Sequence, residues 1–147
     1  MTKATDFDRL KLLAGDGYWY LGTAYSKYPG GLDAAYEVAC RATGRLWCRD
    51  VPIFCPIALC HGPAAFTGYN EDTGKGLNPL TPPDGERDVW GERLAPFVSN
   101  AMGLLVLKMA GWDESVGLRR EIDEFKASEK PVTFLSWPML EVVDDDS

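Results

Sequence analysis

Strand-like and helix-like segments alternate at least three times along this 147-residue chain, which predicts an α/β fold with a short parallel sheet covered by helices. Two stretches carry that expectation. Residues 103–109, GLLVLKM, are the most continuous apolar run and have the uninterrupted character of a central parallel strand. From Asp33 onward, Ala35, Val38, Ala39, Ala42 and Leu46 recur at helical spacing, the pattern of a helix that lays one face on a sheet. A chain of this length buries roughly two-thirds of the surface its unfolded form exposes, so a single domain over residues 1–147 with one core is expected.

The remaining elements follow in order. Residues 5–13, TDFDRLKLL, predict a short capped helix with Phe7, Leu10 and Leu13 on one face, stopped by Gly15 and Gly17. Residues 17–24, GYWYLGTA, read as a buried strand running into the loop at Pro29-Gly30-Gly31. After the helix from Asp33, residues 51–57, VPIFCPI, form a second strand, with Pro52 at its start and Pro56 near its end. Residues 62–92 hold six Gly and four Pro without a sustained period and are expected to be a long loop insertion, of the kind that covers a site or is disordered. A helix spans 89–100, the central strand 103–109, a turn 110–115, and a helix capped by Ser115 runs to about Ser128. Residues 131–136, PVTFLS, form the last strand, and residues 144–147 are an acidic, solvated tail.

Composition excludes several classes. No apolar run approaches the ~20 residues of a membrane span. Asp6 interrupts the N-terminus before any apolar signal region, so a cytoplasmic location is expected. Cys40, Cys48, Cys55 and Cys60 are therefore read as reduced thiols. Fifteen basic against 22 acidic residues argue against a nucleic-acid polymer as partner, although a single phosphate in a pocket does not follow net charge. Cys48, Cys55, Cys60 and His61 lack the paired C-x2-C spacing of structural zinc, and Gly74-Lys75-Gly76 lacks the upstream glycine of a phosphate-binding loop. Neither metal nor cofactor is expected.

In parallel sheets ligands bind beyond the carboxyl ends of the strands, and residues 22–26 and 111–117 occupy that rim. The second carries the spacing G-W-x-x-S-x-G-x-x-x-E through Gly111, Trp112, Ser115, Gly117 and Glu121. With Ser115 as cap, Glu121 lies about a turn and a half into the helix and leans toward its N-terminus. Gly117 leaves first-turn amides uncovered, which suits an anion. Taken alone, these residues admit plainer readings. Glu121 can be one more solvated residue of the run 119–124, Trp90 and Trp112 can be packing residues, and His61 a loop histidine.

The segment Tyr20-Leu21-Gly22-Thr23-Ala24-Tyr25-Ser26, the later G-W-x-x-S-x-G-x-x-x-E, Cys60-His61, and the stretch from Arg119-Arg120-Glu121 to Lys130-Pro131-Val132 together resemble the nucleoside 2-deoxyribosyltransferase-like superfamily. Within it, the chain most resembles the bacterial and phage family known as domain of unknown function 1937. The resemblance implies a flavodoxin-like, Rossmann-like three-layer sandwich with a short parallel sheet of four to five strands. It also implies cleavage of the N-glycosidic bond of a nucleoside or nucleotide, with Glu121 as the nucleophile that attacks C1′ and Tyr20 as the hydroxyl that orients it. Gly22, Thr23, Tyr25, Ser26, His61, Trp112, Ser115 and Gly117 are the expected substrate-binding residues. Relatives of this size complete their pockets across subunits, which implies a homo-oligomer.

Three departures from the pattern matter. Where the transferases hold the sugar's 5′-hydroxyl with an aspartate, six residues before the nucleophile, this chain has Ser115, which suits a 5′-phosphate and so favours a nucleoside 5′-monophosphate. Leu94 and Ser99 stand where relatives often carry acidic residues toward the base. The Asp-rich C-terminus does not match the aromatic end that completes a neighbour's site. Two expectations of different class follow: an N-glycosidase or deoxyribosyltransferase, or a module that captures a nucleotide-derived ligand without turnover. A structural or interaction protein is a third.

Overall fold

The computed structural model describes residues 2–67, 69–70, 75–76 and 89–145, with side chains over 6–63 and 91–145. The elements are α1 (Thr2–Ala14), β1 (Trp19–Gly22), α2 (Leu32–Trp47), β2 (Ile53–Phe54), α3 (Pro56–Thr67), β3 (Tyr69–Asn70), β4 (Lys75–Gly76), α4 (Val89–Asn100), β5 (Gly103–Lys108), a 3-10 turn (Trp112–Glu114), α5 (Val116–Ala127), β6 (Val132–Ser136) and β7 (Val142–Val143). The main sheet has the order β2-β1-β5-β6-β7, and β3 pairs with β4 as a separate hairpin. Strands β2, β1, β5 and β6 are mutually parallel, and β7 closes the edge antiparallel to β6. The expected α/β fold with a short, mostly parallel sheet of four to five strands is thus the observed one, and it forms a three-layer sandwich.

Side-chain alternation along the strands divides the interior into two layers. On one face Trp19, Leu21, Leu105 and Leu107 pack against α1 and α2. On the other, Tyr20, Leu104 and Val106 meet Leu118, Ile122 and Phe125 of α5. The buried positions of α2 are Ala35, Val38, Ala39, Ala42 and Leu46, the stripe the sequence predicts. In α1, Phe7 and Leu10 are buried as expected, but Ala14 rather than Leu13 completes the face and Leu13 is 51% exposed. The helix extends one residue past the expected end, and the smaller side chain is the one that fits against the sheet.

Three expectations are corrected. Strand β2 holds only two residues, because Pro56 opens α3 instead of ending a strand. Proline is well suited to a first helical turn, where its missing N–H needs no partner, and the Cys55 carbonyl accepts from the Leu59 amide at 3.1 Å. His61 therefore lies within a helix and not in a loop after a strand. The interval 62–92 is not wholly loop: its first residues complete α3, Tyr69–Asn70 pairs with Lys75–Gly76, and its last residues begin α4. The rest of that interval, residues 68, 71–74 and 77–88, lies outside the described residues, as do Asp146 and Ser147 of the acidic tail. Strand β7, just ahead of that tail, was not expected at all.

All four cysteines are free thiols. Among the described residues no helix is long and apolar enough to cross a membrane, and no group of three or more His, Cys, Asp or Glu side chains is placed to hold a metal ion. The C-terminal end of α4 is fixed by Lys130, whose ammonium donates to the carbonyls of Val98, Ser99 and Ala101 at 3.1, 2.7 and 2.8 Å. The Val98 carbonyl also accepts from the Ala101 amide at 3.3 Å, and the ammonium supplies further donors at this helix end, so one cation both caps α4 and ties it to the loop before β6.

Candidate functional site

Strands β1 and β5 are neighbours at the centre of the sheet, with Gly22 aligned beside Val106. Their carboxyl ends open onto the two rim segments, and glycines let these segments close on one another. Gly111 adopts a left-handed backbone, φ 84°, and packs so tightly on the Lys27 carbonyl that any Cβ there would collide with the Lys27–Tyr28 backbone. A Cβ on Gly22 would lie 2.5 Å from Leu118 Cδ1 and 3.3 Å from Glu121 Oε1. The lack of a side chain at the end of β1 is thus what allows α5 to sit directly on it, and the glutamate is held at that contact.

Ser115 caps α5, its hydroxyl oxygen accepting from the Leu118 amide at 3.2 Å. This is the cap that the sequence predicts, and it fixes the phase of the helix. Leu118, Ile122 and Phe125 turn to the core, while Gly117, Glu121 and Glu124 border an open cavity of about 360 Å³. From the β1 side the cavity is lined by Tyr20, Thr23, Tyr25 and Ser26, and Ser115 stands at its α5 end. Pro56 and Ile57 of α3, together with Leu94 and Val98 of α4, supply an apolar wall. A space of this size falls within the range of small-ligand sites, and a few polar groups convergent on apolar walls is their usual construction.

Glu121 is the chemically unusual member. Its carboxyl group is deep in the protein, yet the residue keeps partial exposure because it opens onto the cavity. Burial is the main cause that pushes its pKa up to about 7; the Tyr20 hydroxyl and Arg120 oppose the shift, and Glu124 adds to it. Tyr20 is completely buried, on the same face of the sheet as α5, with its ring 5.5 Å from that of Phe125. Its pKa is raised by burial first and by the facing Glu121 second. The phenol faces the carboxyl as a hydrogen-bonding partner and lowers its pKa, although the contact falls short of full hydrogen-bond geometry. Two buried hydroxyls thus border the cavity without a hydrogen bond of full geometry among the described residues, Tyr20 facing Glu121 and Thr23 facing Cys55, an arrangement that leaves room for a ligand or an ordered water.

The other expected site residues divide. Gly22 is a spacer beneath the cavity and not part of its lining. His61 stands behind Tyr25, with Nδ1 at 2.7 Å from the Tyr25 hydroxyl and Nε2 at 3.0 Å from Asp33 Oδ1. Trp112, expected to bind substrate, is outside the cavity lining: it packs edge-on to Phe134 at 5.8 Å and lies under the Lys108 ammonium at 5.2 Å. The turn after β5 directs that indole toward β6, so its place is structural. Leu94, noted in the sequence as apolar where an acid was expected, does line the cavity, whereas Ser99 does not.

Sequence reasoning missed Arg120 and Glu124, although helical spacing from Glu121 would have placed both near the same mouth. It also missed Val98, four residues after Leu94 on one face of α4. Pro56 and Ile57 were hidden by the assignment of residues 51–57 to a strand.

No curated protein matches the chain. Residues 18–137 match the family model described as Domain of unknown function (DUF1937), a span that takes in β1, the cavity, α5 and β6. With 120 of its 147 residues inside that match, the chain belongs to the Domain of unknown function (DUF1937) family.

Proposed function

We propose that the protein cleaves the N-glycosidic bond of a nucleoside 5′-monophosphate, as an N-glycosidase or 2-deoxyribosyltransferase, with Glu121 as nucleophile. The observation that carries this reading is a buried carboxyl, its pKa raised to about 7, opening onto a small-ligand cavity beside a buried phenol. A carboxylate poorly solvated in its resting state gains most when a cationic, oxocarbenium-like centre develops next to it, and it can then capture that centre as a glycosyl ester. Tyr20 favours the ionised form of the nucleophile and orients it. The apolar wall of Ile57, Leu94 and Val98 accommodates a base, and the amino end of α5 receives the phosphate. The likeness of the motifs to the nucleoside 2-deoxyribosyltransferase-like superfamily supports the same assignment.

The direct test is base release from a panel of purine and pyrimidine nucleoside 5′-monophosphates, in the presence and absence of an acceptor base, followed by chromatography. Release from at least one is expected. A panel that stays intact while one member binds would replace catalysis with capture of a nucleotide-derived ligand.

The phosphate assignment has its own prediction. Ser115 donates to a phosphate oxygen while its oxygen keeps the Leu118 amide, and the open space around Gly117 leaves first-turn amides accessible. Ser115→Asp preserves a cap, since aspartate caps helices about as well as serine, but places like charge against the phosphate. Calorimetry is expected to show monophosphate affinity falling by roughly tenfold or more, the equivalent of ~1.4 kcal/mol, with nucleoside affinity unchanged or improved. Equal monophosphate affinity in both proteins would remove the nucleotide preference.

We also propose that the protein is a homo-oligomer, following the subunit-completed pockets of the superfamily. Sedimentation at micromolar concentration is expected to show a species larger than the 16.2 kDa chain, and a purely monomeric profile would count against it.

A further inference from the structure

We infer that Tyr25, His61 and Asp33 form a proton relay that delivers a proton from solvent to the departing base in the cavity. This deepens the glycosidic reading above and rests on it.

The three residues come from three separate segments that the fold draws together. Tyr25 belongs to the loop after β1 and lines the cavity. His61 lies in α3, and Asp33 in the first turn of α2. The Tyr25 hydroxyl is 2.7 Å from His61 Nδ1, and His61 Nε2 is 3.0 Å from Asp33 Oδ1. The imidazole is stacked on Tyr36, with ring centroids 4.3 Å apart and planes 17° from parallel, so it is held in the plane both bonds require. The His61 side chain is only 13% exposed, whereas that of Asp33 is 99% exposed. The chain of hydrogen bonds thus runs from the cavity, through a shielded imidazole, to a carboxylate in bulk water. The titratable groups around it are Asp33, Tyr36 and Cys40 on α2, Cys60 on α3, and Tyr25 itself.

The chemistry supplies the reason for such a device. When the C1′–N bond breaks, its electron pair stays on the base, and a base that departs as an anion departs slowly unless it is protonated. Among the described residues the carboxyls bordering the cavity, Glu121 and Glu124, both belong to α5, and Pro56, Ile57, Leu94 and Val98 give the cavity an apolar wall. Of the hydroxyl residues that line the cavity from the β1 side, Tyr25 has its oxygen bonded to His61. In the protonated state of His61, Nδ1–H donates to the Tyr25 oxygen and Nε2–H donates to Asp33, which turns the phenolic O–H toward the cavity. Attack by the Glu121 carboxylate forms the C1′–O bond as the C1′–N bond breaks. The Tyr25 proton passes to the base nitrogen, the His61 Nδ1 proton passes to Tyr25, and neutral His61 keeps its Nε2–H bond to Asp33 and is recharged from solvent. No oxidant or further reactant is needed. Tyr25 touches the base; His61 and Asp33 act through it.

A leaving group that needs no proton separates this role from a structural one. Guanosine 5′-monophosphate and its 7-methyl derivative, whose base already carries a positive charge, are compared in wild type, His61→Gln and Asp33→Asn. With the ordinary substrate, His61→Gln is expected to reduce turnover by about 10²-fold or more. With the 7-methyl substrate the same variant stays within a few-fold of wild type. Asp33→Asn, at a fully exposed position that does not endanger folding, should show a smaller loss with the same selectivity. Equal losses on both substrates in both variants overturn the relay and leave the glycosidic reading intact. Absence of base release by wild type from both of these substrates and from every member of the nucleotide panel overturns the glycosidic reading, and the relay falls with it.

Discussion

Glu121→Gln is expected to abolish base release, with a fall of roughly 10⁴-fold or more in turnover and a nucleotide affinity close to that of wild type, as befits loss of a group that acts mainly in the transition state. The substitution keeps the volume that fits beside Gly22 and Leu118, so the cavity should survive. Single-turnover measurement with the best substrate of the panel checks both quantities. Because the nucleophile must be ionised, wild-type turnover should rise with pH through the region near 7 at which Glu121 loses its proton. Tyr20→Phe provides the internal control. The Tyr20 hydroxyl holds the Glu121 pKa lower than burial alone would set it, so its removal should move the acid limb of the profile to higher pH and lower turnover less than the glutamine variant does. A Glu121→Gln protein that still releases base at the wild-type rate would end the assignment of this carboxylate.

The sheet and α5 were legible in the sequence for particular physical reasons. In α2, five buried positions at helical spacing coincide with the predicted stripe, because one face of that helix is turned into the core. Ser115 could be identified as a cap because a short polar side chain ahead of a periodic apolar pattern has few other uses, and once the cap is fixed the direction of Glu121 follows. Legibility failed at proline. Pro56 was taken as the end of a strand, yet the same ring suits the first turn of a helix, and nothing local distinguishes the two in VPIFCPI. Every consequence of α3 was hidden with it, including two cavity residues and the pairing of His61 with Tyr25 and Asp33 across sequence separations of 36 and 28 residues. Trp112 lies outside the cavity lining for another reason. Its motif position suggested a ligand, but which way an indole leaves a tight turn is decided by the partner available, here Phe134 on β6.

The carboxyl proposed as nucleophile should also destabilise the fold at high pH, and the sign can be worked through. Glu121 has an ordinary value of 4.5 and is raised to about 7 in the folded protein. Below 4.5 it is protonated in both folded and unfolded chains and adds no penalty. Between these values the unfolded chain loses the proton while the folded protein retains it, so wild-type stability falls as pH rises; above about 7 both forms are ionised and the full penalty of a desolvated carboxylate is present. At ~1.4 kcal/mol per pKa unit, a shift of this size corresponds to at most on the order of 3 kcal/mol, a large share of a typical folding free energy. Glu121→Gln removes the ionisation and keeps the shape. Urea denaturation of wild type and variant at pH 5 and pH 8.5 should therefore show a stability difference that grows by about 2–3 kcal/mol in favour of the glutamine protein at the higher pH. The comparison cancels every other titrating group, since only position 121 differs. An inactive variant that gains stability with pH identifies the carboxylate as one held against its own solvation for a chemical purpose, the trade expected of an active site. If instead the two proteins keep the same difference at both pH values, Glu121 is effectively solvated, and its raised pKa can no longer support a role as nucleophile.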